Sequence, residues 1–282
     1  MTAPPGEREL NRGRRRRRPA RLEYGAMTAD HTRYAEFSDP RLAAIYDTVN
    51  PVDSYGAFYL DLATRLAPRT VLDVGCGTGL LTCELARLGY RVIGLEPSPE
   101  LLRRARRRPG CRDVTWIEGP IDQLGRLEAD LALMTGHVAQ FFLEEDAWQA
   151  ALAKIHGALK PGGRLAFESR NPLVPPFPDW PTVAAPQRVV DPAAGAVDWW
   201  ATMPEPQGRR IRYELRYRFA ASGEDVVSAN ELVFRTQEEI TQSLQDAGFT
   251  LRDLFGDWDR TPATPSSPEM IFVAERHLDE SA

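Results

Sequence analysis

The sequence predicts an α/β fold around a largely parallel sheet, and three observations predict it. The run Val71-Leu72-Asp73-Val74 is apolar and β-branched, ends in the glycine-rich turn Gly75-Cys76-Gly77-Thr78-Gly79, and leads into residues 80–88, whose apolar side chains recur at helical spacing. Residues 91–96 form a second short apolar run that also ends in an acid, Glu96. Short apolar runs and amphipathic stretches then keep alternating to about residue 168, as expected of adjacent strands joined by crossing helices.

A chain of 282 residues suits one sizeable α/β domain with an insertion, or two small domains. A net charge of −5 argues against a nucleic-acid partner. No apolar run is long enough to span a membrane. The three cysteines, Cys76, Cys83 and Cys111, have neither metal-site nor disulfide spacing and read as reduced thiols, hence a cytoplasmic chain.

Residues 1–26 stand apart from the fold. Pro, Gly and Arg dominate, with Arg14 to Arg18 in one block, so the segment buries too little apolar surface to offset its ordering entropy. It lacks the apolar centre of a secretory signal, and Glu7, Glu9 and Glu23 suit no organelle-targeting peptide. A disordered tail, a nucleic-acid-binding arm and sequence lying upstream of a start at Met27 are the readings it leaves open. Asp39-Pro40 caps and opens a helix that Asn50-Pro51 stops. A second helix runs over about 53–66, with Tyr55, Phe58, Tyr59, Leu62 and Leu66 on its apolar side.

Beyond Glu96, residues 100–108 form a basic helix, with Leu101, Leu102 and Ala105 inward and the arginines as a solvated face. A third strand covers 113–117 and a fourth 129–134, which exits through Thr135-Gly136-His137. Residues 146–159 are an amphipathic helix, Lys160-Pro161-Gly162-Gly163 ends it, and 164–168 form the fifth strand. A Pro-rich stretch holding Phe177 and Trp180 follows. Strand-like runs then appear at 188–190, 196–202, 211–219 and 226–234, and residues 212–219 alternate polar with apolar. Thr236 and Glu239 make a capping box for a helix over 236–247. Residues 249–255 and 270–274 are the last strands. The expected divisions are a tail at 1–26, a core with lid helices at 27–171, an antiparallel cap at 172–234 and the remainder of the core at 235–282.

The stretch 71–79 resembles the first motif of class I S-adenosylmethionine (SAM)-dependent methyltransferases, apolar-apolar-Asp-apolar-Gly-x-Gly-x-Gly. A dinucleotide-binding turn would read G-x-G-x-x-G, and its third glycine position is Leu80 here. The resemblance covers nearly all of 39–277. It implies a Rossmann-like seven-stranded sheet, six strands parallel and one antiparallel, with helices on both faces and a small antiparallel β cap. It implies SAM as cofactor, with Asp73, Gly75, Cys76, Gly77 and Gly79 at the turn and Glu96, followed by Pro97, on the ribose hydroxyls. Ile121 and Asp122 match the adenine position, although Gly119-Pro120-Ile121-Asp122 departs from the family's usual Gly-Asp or Asp-Ala. Ligands of open α/β sheets sit beyond the carboxyl ends of the strands, which puts Thr135, Gly136 and His137 beside the sulfonium.

The implied reaction is a one-step SN2 transfer of the methyl group to an N, O or C nucleophile of a small-molecule acceptor. It needs no metal, and no metal-ligand cluster is legible in the sequence. His137, Glu168 and Asp257 are the candidates for a base. Tyr46, Arg170, Asn171, Trp199 and Trp258 are the candidates for the acceptor site, Tyr46-Asp47 resembling a pair found in the family's lid helix. Asn171-Pro172 is followed by Leu173-Val174, unlike the motif of amino-methylating DNA enzymes. Two other functions stay open: an RNA or protein methyltransferase using the arginine-rich tail, and a non-catalytic SAM-binding scaffold. Trp199-Trp200 also suits a homodimer contact through the cap.

Overall fold

The computed structural model describes residues 32–51, 54–175, 180–202 and 208–278. The readings of the 1–26 tail, of a start at Met27 and of Phe177 lie outside these residues. In chain order the elements are α1 (Ala35–Ser38), α2 (Pro40–Val49), α3 (Ser54–Leu66), β1 (Thr70–Val74), α4 (Leu80–Arg87), β2 (Arg91–Glu96), α5 (Pro99–Ala105), β3 (Thr115–Glu118), β4 (Ala129–Met134), α6 (Glu145–Ala158), β5 (Leu159–Arg170), β6 (Gln187–Asp191), β7 (Gly195–Thr202), β8 (Arg210–Phe219), β9 (Asp225–Val233), α7 (Gln237–Asp246), β10 (Phe249–Phe255) and β11 (Glu269–Arg276).

The apolar runs of β1, β2 and β4 are buried on both faces, which is why they read as continuous rather than alternating. They form the centre of a seven-stranded sheet of order β10-β11-β5-β4-β1-β2-β3. β11 pairs antiparallel with both β10 and β5, and the other pairings are parallel. One face packs Trp148, Leu152 and Ile155 of α6 with Ile240 and Leu244 of α7. The other packs Phe58, Tyr59 and Leu62 of α3 with Leu81 and Leu85 of α4. The helices start where their caps dictate. Asp39 accepts a hydrogen bond from Arg41 N at 2.8 Å, and Thr236 and Glu239 close a reciprocal box at 3.2 and 2.9 Å.

The second sheet is antiparallel, of order β6-β7-β8-β9. Alternation along β8 buries Ile211, Tyr213, Leu215, Tyr217 and Phe219 and leaves its arginines outward. The buried face packs on Ala35 of α1 and on Leu42 and Ile45 of α2. Backbone contacts fix that docking: Tyr34 N donates to Ala229 O at 3.0 Å, and Glu36 N to Ser228 Oγ at 3.2 Å. The N-terminal helices and the cap therefore form one wall facing the glycine turn. Among the described residues, no helix is long and apolar enough to cross a membrane.

Four expectations change. Cys83 and Cys111 are joined as a disulfide, with Cα atoms 4.9 Å apart, because the loop after α5 folds back onto α4. This removes the support that three reduced thiols lent to a cytoplasmic location. Lys160-Pro161-Gly162-Gly163 lies inside β5 instead of preceding it. The pairing with β4 jumps from Ala129–Leu159 to Leu131–Arg164, so the turn is absorbed as a bulge in which Gly162 takes φ +77°. The arginines of 103–108 are not all a solvated face. Arg104 donates to Ala44 O at 2.8 Å, and Arg108 pairs with Asp47 and donates to Thr78 O at 3.0 Å, tying α2 to the glycine turn. Trp199 is not exposed for a partner: it is 8% accessible and stacks on Tyr217 within its own sheet.

Candidate active site

β1, β2, β4 and β5 all end at one cavity of about 370 Å³, roofed by α1, α2, β8 and β9. Side chains at the ends of parallel strands converge there because the strands share one direction. Asp73, Gly75, Cys76, Gly77, Glu96, Pro97, Ile121, Thr135, Gly136, His137, Glu168, Arg170, Tyr46, Trp199 and Trp258 line it. Gly79 stands one turn deeper, as the residue preceding α4, at φ +76°. Asp122, Asn171 and Asp257 are not among the lining residues. Asp122 follows Ile121 in a short 3-10 turn that buries the isoleucine and exposes the acid. Asn171 Nδ2 instead donates to Pro265 O and Ser267 O at 3.1 and 2.9 Å, holding the segment before β11. Asp257 is exposed and accepts from Trp258 N at 2.7 Å.

The glycine turn is held from behind. Gly75 N and Cys76 N donate to Leu95 O at 2.8 and 3.1 Å. Gly75 has φ +73°, and a Cβ there would stand 2.7 Å from Val138 Cγ2, so this position takes no side chain. Gly77, at φ +56°, meets nothing within 4 Å of its notional Cβ and leaves the backbone open to a ligand. Its N–H donates to Glu96 Oε2 at 2.9 Å, while Ser98 N donates to Oε1 at 2.8 Å. Each Glu96 oxygen keeps a lone pair for a ligand hydroxyl. Burial pushes the Glu96 carboxyl up to about 7 and that of Asp73 to about 6. Asp73 accepts from Thr82 Oγ1 at 2.6 Å through Oδ2, whereas its buried Oδ1 has no hydrogen-bond partner among the described residues. An orphaned carboxylate oxygen and a carboxylate with spare acceptor capacity, on either side of an open backbone cradle, fit the polar groups of SAM.

Nearer the cap, His137 sits at φ +61° with its N–H donating to Glu168 Oε1 at 2.8 Å. Its Nε2 lies 3.0 Å from both oxygens of Glu269. Burial acts to raise the Glu269 carboxyl, but the His137 and Arg170 charges outweigh it and hold the group below the usual range. An ionised carboxylate only accepts, so Nε2 is the donor to Glu269 and Nδ1 is the ring nitrogen left outside that contact. Glu168 is fully buried, and both its oxygens are engaged, by His137 N and by the Tyr59 hydroxyl. Burial raises its carboxyl, against the pull of His137. Trp258 packs between the rings of Tyr55, Phe58 and Tyr59. Arg170 Nη1 donates to Gln140 Oε1 at 3.2 Å.

Sequence reading missed Glu36, Tyr59, Trp180, Tyr213 and Glu269 as parts of the site. Tyr213 was legible as a buried position of an alternating strand. Glu36, an acid between Ala35 and Phe37, carried only the weak signal of a charge flanked by apolar residues.

Residues 71–163 match the family model described as a methyltransferase domain. The cypemycin N-terminal methyltransferase of a Streptomyces species is 29% identical over 238 residues, covering 82% of this chain and 94% of that protein. The CcbJ methyltransferase of Streptomyces caelestis superposes with a TM-score of 0.70 at 20% identity, over 86% of this chain and 99% of its own. SAM-bound CalS10, an amino pentose methyltransferase of Micromonospora echinaspora, superposes at 0.61 with 23% identity, over 83% and 95% of the two chains. Residues 71–163 thus match a methyltransferase domain, a named methyltransferase aligns along most of the chain, and the fold is shared with solved SAM-dependent methyltransferases.

Proposed function

We propose that the protein transfers a methyl group from SAM to an N, O or C nucleophile of a small molecule held between the glycine turn and the cap. The observation that carries this is the pair of buried carboxylates, Asp73 and Glu96, flanking the open turn in one cavity with His137 and the cap aromatics. The likeness to CalS10, an amino pentose methyltransferase, supports a small-molecule acceptor.

SAM, when bound, supplies an electrophilic methyl group. The chain's own work is then binding, orientation and exclusion of water, and positioning of this kind is worth about 7–11 kcal/mol when the reacting atoms are held in line. Asp73, the backbone of Gly75 to Gly77, Glu96 and Ile121 hold the cofactor in this reading. Tyr46, Trp199, Tyr213 and Trp258 cover the acceptor. Where the nucleophile sheds a proton, His137 Nδ1 receives it and Glu269 steadies the charged ring. Glu168, which accepts from His137 N and from the Tyr59 hydroxyl, is a positioning residue for His137. Asp122, the candidate for the adenine position, and Asp257, a candidate base, do not line the cavity and are left out of this reading.

Calorimetric titration of S-adenosylhomocysteine and of NAD into the wild type and Gly75→Val tests the reading. The expected result is binding of S-adenosylhomocysteine alone, abolished in the variant because a side chain there collides with Val138. NAD binding in its place, or no binding to a folded protein, overturns it.

A further inference from the structure

Two buried acids, Glu36 and Glu168, line the cavity, the part-buried Glu269 stands behind His137, and their company differs. Glu168 is held by Tyr59 and His137, and Glu269 by His137 with Arg170 nearby. Glu36 is 8% accessible and lines the same cavity. The groups that act on its carboxyl are neutral, the Tyr217 hydroxyl and the Asn230 amide, and among the described residues no ion pair joins it to a cation. The charge of Arg170 is felt by Glu269, Tyr213 and Glu168 instead.

The surroundings of Glu36 are aromatic. Tyr46, Tyr213 and Tyr217 all feel its charge. Trp180 stands edge-on to Tyr213 at 5.1 Å, and Trp199 stacks on Tyr217 at 6.5 Å. Tyr46, Trp180, Trp199 and Tyr213 line the cavity with Glu36. A buried carboxylate is costly without a counter-charge, and aromatic faces attract cations. A protonated amine satisfies both conditions at once. A neutral acceptor leaves the carboxylate without a counter-charge, and an anionic one is repelled.

We propose that the cap end of the cavity is a cation subsite, and that the acceptor carries a protonated amine that pairs with Glu36 inside the box of Tyr46, Trp180, Trp199 and Tyr213. This rests on reading the cavity as the acceptor site. Glu36 is then a specificity-determining residue contributed by the N-terminal helix. Burial holds its carboxyl at about 7 while no cation is present, so an arriving amine stabilises the ionised form.

The test is binding of phenethylamine and of its uncharged isostere 2-phenylethanol, read by tryptophan fluorescence at about pH 8, where both Glu36 and the amine are charged. Each is titrated into the protein with and without S-adenosylhomocysteine. The expected result is that the amine binds about tenfold tighter than the alcohol. In Glu36→Gln the preference disappears while S-adenosylhomocysteine still binds. Equal binding of the two probes, binding of neither, or a preference that survives Glu36→Gln overturns the proposal. If that variant does not fold, the wild-type comparison and Glu36→Asp, expected to keep a weaker amine preference, decide it. Failure of S-adenosylhomocysteine to bind overturns the methyltransferase site separately, because the amine preference is also read on the unloaded protein.

Discussion

Replacing Glu96 with glutamine removes a charge at the end of β2 while keeping its shape, and the structure predicts a large loss of binding with little change in folding stability. In the wild type each carboxylate oxygen accepts one backbone N–H, from Gly77 at 2.9 Å and from Ser98 at 2.8 Å. Each also retains capacity for one ligand hydroxyl. Hydrogen bonds to a charged acceptor contribute about 1.5–3 kcal/mol, against about 0.5–1.5 for a neutral one. Losing that difference at two hydroxyls weakens binding by about 2–3 kcal/mol, or roughly 30- to 150-fold in Kd.

Folding responds differently. The glutamine NH2 group faces one backbone N–H, which costs about 1–3 kcal/mol. Yet the substitution also removes a carboxyl that burial has pushed from 4.5 to about 7. Ionising it above pH 7 costs about 3 kcal/mol of stability, at about 1.4 per tenfold change in proton affinity. The two terms offset, so Glu96→Gln should melt near the wild type at about pH 8 while binding S-adenosylhomocysteine far more weakly. Calorimetry and thermal melts on one preparation measure both quantities. A well-folded variant whose Kd stays within about threefold of wild type would refute the hydroxyl-binding role of Glu96.

Two further outcomes follow from the same geometry. Glu36, Asp73 and Glu96 all have raised folded-state values, of about 7, about 6 and about 7, so the native state holds more protons than the unfolded chain between their ordinary values and these. Stability of the ligand-free protein should therefore fall as pH rises from about 4 to about 7. Urea unfolding at several pH values checks this, and a curve rising across that window contradicts it. Thr236→Ala breaks the capping box of α7, remote from the cavity, and should cost about 0.5–2 kcal/mol in the same unfolding assay while leaving the S-adenosylhomocysteine Kd unchanged.

The strand–turn–helix of 71–87 was legible because each of its signals is local: β-branched residues, alternating glycines and helical spacing lie within one continuous stretch. The ends of β2 and β4 were legible because parallel strands deliver their carboxyl ends to one side, which locates Glu96 and His137 with no knowledge of side-chain contacts. The strand β8 followed from the period-two pattern of 212–219, although which side Trp199 of β7 faces did not. At 121–123 the local signal did not distinguish two neighbours. Ile121 and Asp122 are neighbours, and only the packing of the 3-10 turn decides that the isoleucine is buried in the cavity and the acid in water.

The sequence by itself determined the core fold, the glycine turn and the carboxylates at the ends of its first two strands. The tertiary structure alone brought Glu269 to His137 across 132 residues, Tyr59 to Glu168 across 109, and Glu36 of the N-terminal helix onto the cap aromatics. The physical reason is range: propensity, capping and turn chemistry act over a few residues, whereas these contacts arise only when buried faces from distant segments close on one another.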